Sequence, residues 1–110
     1  MKPTQAQTDL LQALRSTPFY MDEGDWERLV ALANDTFGGF VQRLCGTNPR
    51  LTKWDVRYCC LSRFNFRLKQ IKHMIPIQYA SIRRARARTK SHLAVPAASW
   101  REVENYLKTV

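Results

Sequence analysis

Arg83, Arg84, Arg86, Arg88 and Lys90 set five cationic side chains within eight residues, with Ala85 and Ala87 between them. Guanidinium and ammonium groups at this density suit phosphate neutralisation. The planar guanidinium fork also reads base edges through paired hydrogen bonds. An uncharged line of Ile82, Ala85, Thr89 and Leu93 runs through the same stretch. The question is which of these groups a fold would turn outward.

Other chemistry finds little support. The two histidines, His73 and His92, have no acidic or cysteine partner at a helical spacing, so both read as surface residues. Cys45, Cys59 and Cys60 do not form a metal-ligand spacing. The adjacent pair Cys59–Cys60 reads as small apolar filling inside a helix core. The odd cysteine count and the lack of a targeting segment point to a reducing, cytoplasmic setting. No glycine-rich phosphate loop or paired carboxylates occur. We therefore expect no enzyme, no catalytic or metal-binding residue, no cofactor and no small-molecule substrate.

Charge is unevenly spread along the 110 residues. Residues 1–49 hold four Lys/Arg and six Asp/Glu, whereas residues 50–93 hold twelve Lys/Arg and a single Asp. Residues 94–110 are balanced, two of each sign. A basic block on a near-neutral remainder suits a polyanionic partner, nucleic acid ahead of a membrane surface. No apolar run approaches the ~20 residues that span a bilayer.

The elements that must position the basic block are helical, since strand-like alternation never persists. A first helix is expected from Thr4, its cap, to about Ser16, with Leu10, Leu11 and Leu14 on one face. A longer helical stretch runs from Asp22 to Leu44, with Trp26, Leu29, Val30, Ala33 and Phe37 in a stripe. Gly38 and Gly39 should kink or break it, at about 1 kcal/mol each relative to alanine. Thr52 and Asp55 stand at capping-box spacing for a third helix, whose Trp54, Tyr58 and Leu61 can face a core. Asn65 suits a chain reversal. Leu68 to Ile75 reads as a short fourth helix stopped by Pro76. A fifth runs from about Tyr79 to Leu93, and Ser99 caps a last helix carrying Trp100, Val103, Tyr106, Leu107 and Val110.

At 100° per residue, Ile82, Ala85, Thr89 and Leu93 fall within about 80° and face inward. The outer side carries Ala80, Arg84, Ala87 and Ser91. Arg83 and Lys90 line one margin, and Ser81 and Arg88 the other. Arg86, near the buried edge, should snorkel outward. Small residues in the middle permit close approach to a groove, and the cations flank it. Short helix, turn and basic helix together make a helix-turn-helix, whose second helix enters the major groove.

From Leu51 to Leu93 the chain resembles the LuxR-type helix-turn-helix family. The matching positions are Leu51, Thr52, Asp55, Leu61, Asn65, Ile71, Ile75, Gln78, Ser81, Ile82, Arg83 and Leu93, without a gap. Departures from the pattern are Asn65 for Gly, Lys72 for Ala, Thr89 for an apolar residue and His92 for Lys. Upstream, Trp26, Phe40, Leu44, Pro49, Leu51 and Thr52 resemble the C-terminal cytoplasmic domain of bacterial tetratricopeptide-repeat regulators. The resemblance implies DNA contacts at Tyr79, Ala80, Ser81, Arg83 and Arg84, with Arg88 and Lys90 on phosphate, and Ile82 and Leu93 in the core. The wheel adds Ala87. It also implies a sensor or repeat domain elsewhere in such a protein.

The expectation is thus a single all-α domain: N-terminal helical support over residues 1–48, a LuxR-like helix-turn-helix over 51–93, and a C-terminal helix over 94–110. Its expected partner is duplex DNA, as a bacterial transcriptional regulator. A homodimer seam through Trp100, Val103, Tyr106 and Leu107 competes with simple closure of the core by that stripe. An acidic protein partner for the basic helix, or promoter binding like that of sigma-factor region 4, are the alternative functions.

Overall fold

A computed structural model describes residues 3–110. Among them the fold is all-α: seven helices and no strand. They are α1 (Gln5–Ser16), α2 (Glu23–Thr36), α3 (Phe40–Thr47), α4 (Lys53–Arg63), α5 (Leu68–Ile71), α6 (Tyr79–His92) and α7 (Trp100–Thr109). No helix of the described residues is long and apolar enough to cross a membrane.

Short polar residues start the helices by satisfying backbone N–H groups that have no intrahelical partner. Thr4 and Gln7 form a reciprocal capping box on α1, Asp22 and Asp25 on α2, and Thr52 and Asp55 on α4. Ser99 caps α7. The stretch from Asp22 to Leu44 breaks at the two glycines, as their backbone freedom allows. Gly38 and Gly39 take φ of 58° and 86°. The Gly39 N–H then reaches the Asn34 carbonyl at 2.7 Å, while the Asn34 side chain accepts from Val41 and Gln42 N–H at the head of α3. One asparagine thereby closes one helix and opens the next.

Helix α4 is the centre of the bundle, packing on α2, α3, α6 and α7. Asp55 and every residue from Arg57 to Ser62 are buried. A helix enclosed on all sides, as α4 is from Arg57 to Ser62, shows no clean apolar stripe there. The adjacent Cys59 and Cys60 keep its girth small, and burial pushes the Cys59 thiol up to about 12. Trp54 departs from its expected core position and is 41% exposed. The space beside it is taken by Arg57, whose guanidinium carbon lies 4.5 Å from the Trp54 ring centroid and 5.2 Å from that of Trp26. Its Nη2 donates to Glu23 Oε2 at 2.5 Å.

The end of α4 is a Schellman turn. Phe66 N–H bonds the Leu61 carbonyl at 3.0 Å, Asn65 N–H bonds that of Ser62 at 2.9 Å, and Asn65 has φ of 67°. A left-handed residue without special side-chain chemistry costs about 1–2 kcal/mol. Asn65→Val is therefore expected to lose about that much in urea denaturation, while Asn65→Gly stays within about 0.5 kcal/mol of wild type.

The helix expected over residues 68–75 is shorter than anticipated. Only Leu68–Ile71 is α-helical, and the chain tightens into turns, with His73 N–H on the Gln70 carbonyl and Met74 N–H on that of Ile71. Pro76 has no N–H to continue the ladder. The Met74 carbonyl instead accepts from Met21 N–H at 3.2 Å, tying this turn to the segment before α2. Ile71, Met74 and Ile75 are buried, and Lys72 is exposed and so intrudes on no helix contact.

Val103 and Leu107 of α7 are buried within the chain, at 0% and 1% exposure, and Trp100 and Tyr106 are half-buried. Val103 and Leu107 thus close the core within the chain, where α7 packs on α4 and α6, and Trp100 and Tyr106 are the more accessible members of this stripe. Asn48 locks the arrangement. Fully buried, it donates to the Leu44 carbonyl and to Tyr106 Oη, and it accepts from Ala94 N–H at 2.7 Å.

Candidate nucleic-acid interface

Helix α6 sits on the bundle by the uncharged line in its sequence. Ile82 and Thr89 are fully buried, and Ala85 and Leu93 nearly so. The opposite side is open. Tyr79, Ala80, Arg83, Arg84, Ala87 and Arg88 are exposed, and Ser81 and Lys90 are half-exposed. All eight candidate residues therefore lie on one helix and reach solvent, with Ala80, Arg84 and Ala87 in the middle and Arg83, Arg88 and Lys90 at the margins. Arg84 Nη2 donates to Ser81 Oγ at 3.2 Å, which lays that guanidinium along the helix toward its N-terminus. Lys90 Nζ is partly engaged, donating to the Ala98 carbonyl at 3.2 Å. No side chain caps the start of α6 at Gln78.

What fixes the pitch of α6 is a polar rivet that the sequence did not reveal. Asp55, at the first turn of α4, is 4% exposed. Its Oδ2 accepts from Thr52 N–H at 2.8 Å and contacts His92 Nδ1 at 2.6 Å. Its Oδ1 accepts from the Thr89 hydroxyl at 2.6 Å. An ionised carboxylate only accepts, so His92 Nδ1 carries the proton. Burial alone would push the Asp55 carboxyl up. The bonds from Thr52, Thr89 and His92 outweigh burial and hold it below the ordinary aspartate value. His92 is thus no isolated surface histidine, contrary to expectation, because the fold brings it to an acid 37 residues away. Thr89 and His92, two of the positions where the chain departs from the pattern it resembles, meet Asp55 in this one cluster.

Arg86 also departs from expectation. Instead of reaching outward it lies with its guanidinium carbon 4.8 Å from the Trp100 ring centroid. Trp100 is itself held, its Nε1–H donating to Ser62 Oγ at 3.0 Å. The Arg86 Nε is buried with no hydrogen-bond partner among the described residues. Burial lowers the Arg86 pKa. Sequence gave no sign of this pairing, since arginine and indole stand on different helices.

Two clefts flank α6. One, of about 370 Å³, is lined by Leu68, Tyr79, Arg83, Arg86, Ala87, Lys90 and Trp100. The other, of similar volume, lies between Thr52, Trp54 and Tyr58 of the α4 side, Ile75 and Ile77 of the turn, and Ala85 and Arg88. Ile77 and Tyr79 stand 42% and 47% exposed at the entry to α6, and Ile77 escaped the sequence reading. A more apolar recess of about 470 Å³ lies away from α6, among Trp26, Val30, Ala31, Val41 and Val56. Its charged lining includes Arg57, already paired with Glu23, so it offers no cluster for chemistry. Among the described residues no three His, Cys, Asp or Glu side chains converge as a metal site.

No family model, curated protein or solved structure matches the chain.

Proposed function

We propose that the chain binds duplex DNA through α6, as a LuxR-like helix-turn-helix of a bacterial transcriptional regulator acting in the cytoplasm. One observation carries the reading. The outward side of α6 joins a centre of small residues, Ala80 and Ala87, to exposed Arg83, Arg84 and Arg88, and holds no acidic residue. A merely solvated helix mixes charge signs along such a face. A helix that lies in a major groove needs a slim ridge there, with donors at its edges. The uncapped start of α6, with Tyr79 and Ile77 exposed beside it, suits the end that reaches base edges, while helix α5 and its turn brace it.

Fluorescence anisotropy of labelled genomic-fragment duplexes, repeated at several salt concentrations, tests this directly. Affinity is expected to fall by about 0.9 log units per log unit of salt for each phosphate neutralised. Arg84→Ala should cost roughly 1–3 kcal/mol on preferred sequences and relax preference. Arg88→Ala should weaken all sequences about equally and lower the salt slope by about one. Unchanged duplex affinity in both variants at low salt would remove α6 as the docking helix. Competition by an acidic polypeptide but not by duplex would transfer the basic face to a protein partner.

A further inference from the structure

The cleft between α6 and α7 contains three cationic side chains and no carboxylate in its lining. Arg83, Arg86 and Lys90 project from α6, Tyr79 closes the helix start, and Trp100 forms the wall contributed by α7. Arg83 is exposed, and Lys90 makes its hydrogen bond to a neutral carbonyl. Arg86 is the unusual member. It is half-buried against an indole and makes no ion pair among the described residues. Glu104 acts on it only at longer range. A desolvated cation without a counter-charge is costly, and an unpaired buried N–H adds to the cost. Stacking on Trp100 offsets part of this, by about 0.5–2 kcal/mol, and orients the guanidinium. Trp100 is pinned by Ser62, so the group is held in place before any ligand arrives. The cleft, at about 370 Å³, is large enough for a tetrahedral anion and several waters.

We propose that this cleft is a phosphate site, in which Arg83 and Lys90 close over the anion and Arg86, backed by Trp100, supplies the fixed charge. Where the phosphate belongs to a duplex backbone, the site rests on the DNA-binding reading above. It then places one strand along the α7 flank of α6 and makes α7 part of the interface. Where it belongs to a free phosphate compound, the site stands without that reading.

Nitrogen–proton NMR of the whole chain distinguishes these cases through the Arg86 Nε–H resonance. Its burial should slow exchange enough for detection, and its disappearance in Arg86→Lys identifies it. Sodium pyrophosphate, titrated against sodium chloride at equal ionic strength, is expected to shift this resonance at millimolar concentration. Arg83→Gln, a change at an exposed position, should weaken that binding by about fivefold with the remaining spectrum unchanged, in keeping with loss of one charge-assisted contact. A short duplex should move the same resonance if its backbone is the source. A shift with pyrophosphate but none on duplex addition assigns the cleft to free phosphate. If pyrophosphate and duplex both move the resonance no more than chloride does, the site is refuted, and duplex binding elsewhere on α6 would still uphold the DNA reading.

Discussion

Ala87→Glu is expected to reduce duplex affinity by about 100-fold or more at low salt, while the fold survives. Ala87 is exposed at the middle of the outer face of α6 and borders the cleft with Arg83, Arg86 and Lys90. A carboxylate there meets the phosphate field at the closest point of approach and fills the space that alanine leaves open. Like charges brought together at an interface cost several kcal/mol, and 100-fold corresponds to about 2.8 kcal/mol. The same substitution is mild for the helix. Glutamate is a good helix former, and at this position it stands four residues after Arg83 and three before Lys90, spacings that stabilise helices by about 0.2–0.5 kcal/mol per pair. The melting temperature by circular dichroism should therefore stay within about 3 °C of wild type. Ala87→Gln, similar in size but neutral, separates the two effects and should lose only about 10-fold. Wild-type affinity in Ala87→Glu would place the DNA elsewhere on the molecule.

Ala87 stands where helical spacing puts it, and Arg86 does not. Local signals were sufficient wherever one helix decides its own outcome. Thr4, Thr52 and Ser99 mark starts because each needs only a backbone N–H three residues on. Asn65 marks a reversal because its own φ is 67°. The inward line Ile82, Ala85, Thr89 and Leu93 follows from helical spacing, and so does the outward position of Ala80, Arg84 and Ala87. The misreadings concern residues whose fate depends on a second helix. Arg86 sits at the boundary of its helix's buried arc and turns to Trp100, which stands on another helix. Spacing alone turns Trp54 inward, whereas α4 is covered all round only from Arg57 to Ser62, and beside its open first turn Arg57 takes the inner space through Glu23 and two indoles. The α-helix over residues 68–75 stops at Ile71, where the chain tightens into turns and the Met74 carbonyl finds its partner outside the segment, in Met21 N–H. His92 lacked a partner in sequence because Asp55 lies on α4.

That last pair carries the largest expected effect on stability. Asp55→Ala is expected to destabilise the domain by about 3 kcal/mol in urea denaturation, out of a total of about 5–15 kcal/mol for a domain of this kind. The substitution removes a helix cap and leaves the Thr89 hydroxyl buried without its acceptor and His92 without its acid. Thr89→Val removes one of those donors while filling the same space, so its cost should be smaller, about 1 kcal/mol. The double substitution should then fall short of the sum of the two, since the second change relieves an unmet donor created by the first. Additive losses would mean that the contact contributes nothing beyond packing. The carboxyl also sets a direction for pH. It titrates lower in the folded chain than in the unfolded one, so the unfolded chain takes up its proton first as the solution is acidified. Its contribution is complete above the unfolded value, about 3.9, and is lost as pH falls through the lower folded value. Wild-type stability should decline across that interval, and Asp55→Asn, which has no proton to take up there, should show a shallower decline measured by the same denaturant midpoints. A decline of equal slope in both would assign the acid sensitivity to the other carboxylates and leave Asp55 a purely geometric tie between α4 and the last turn of α6.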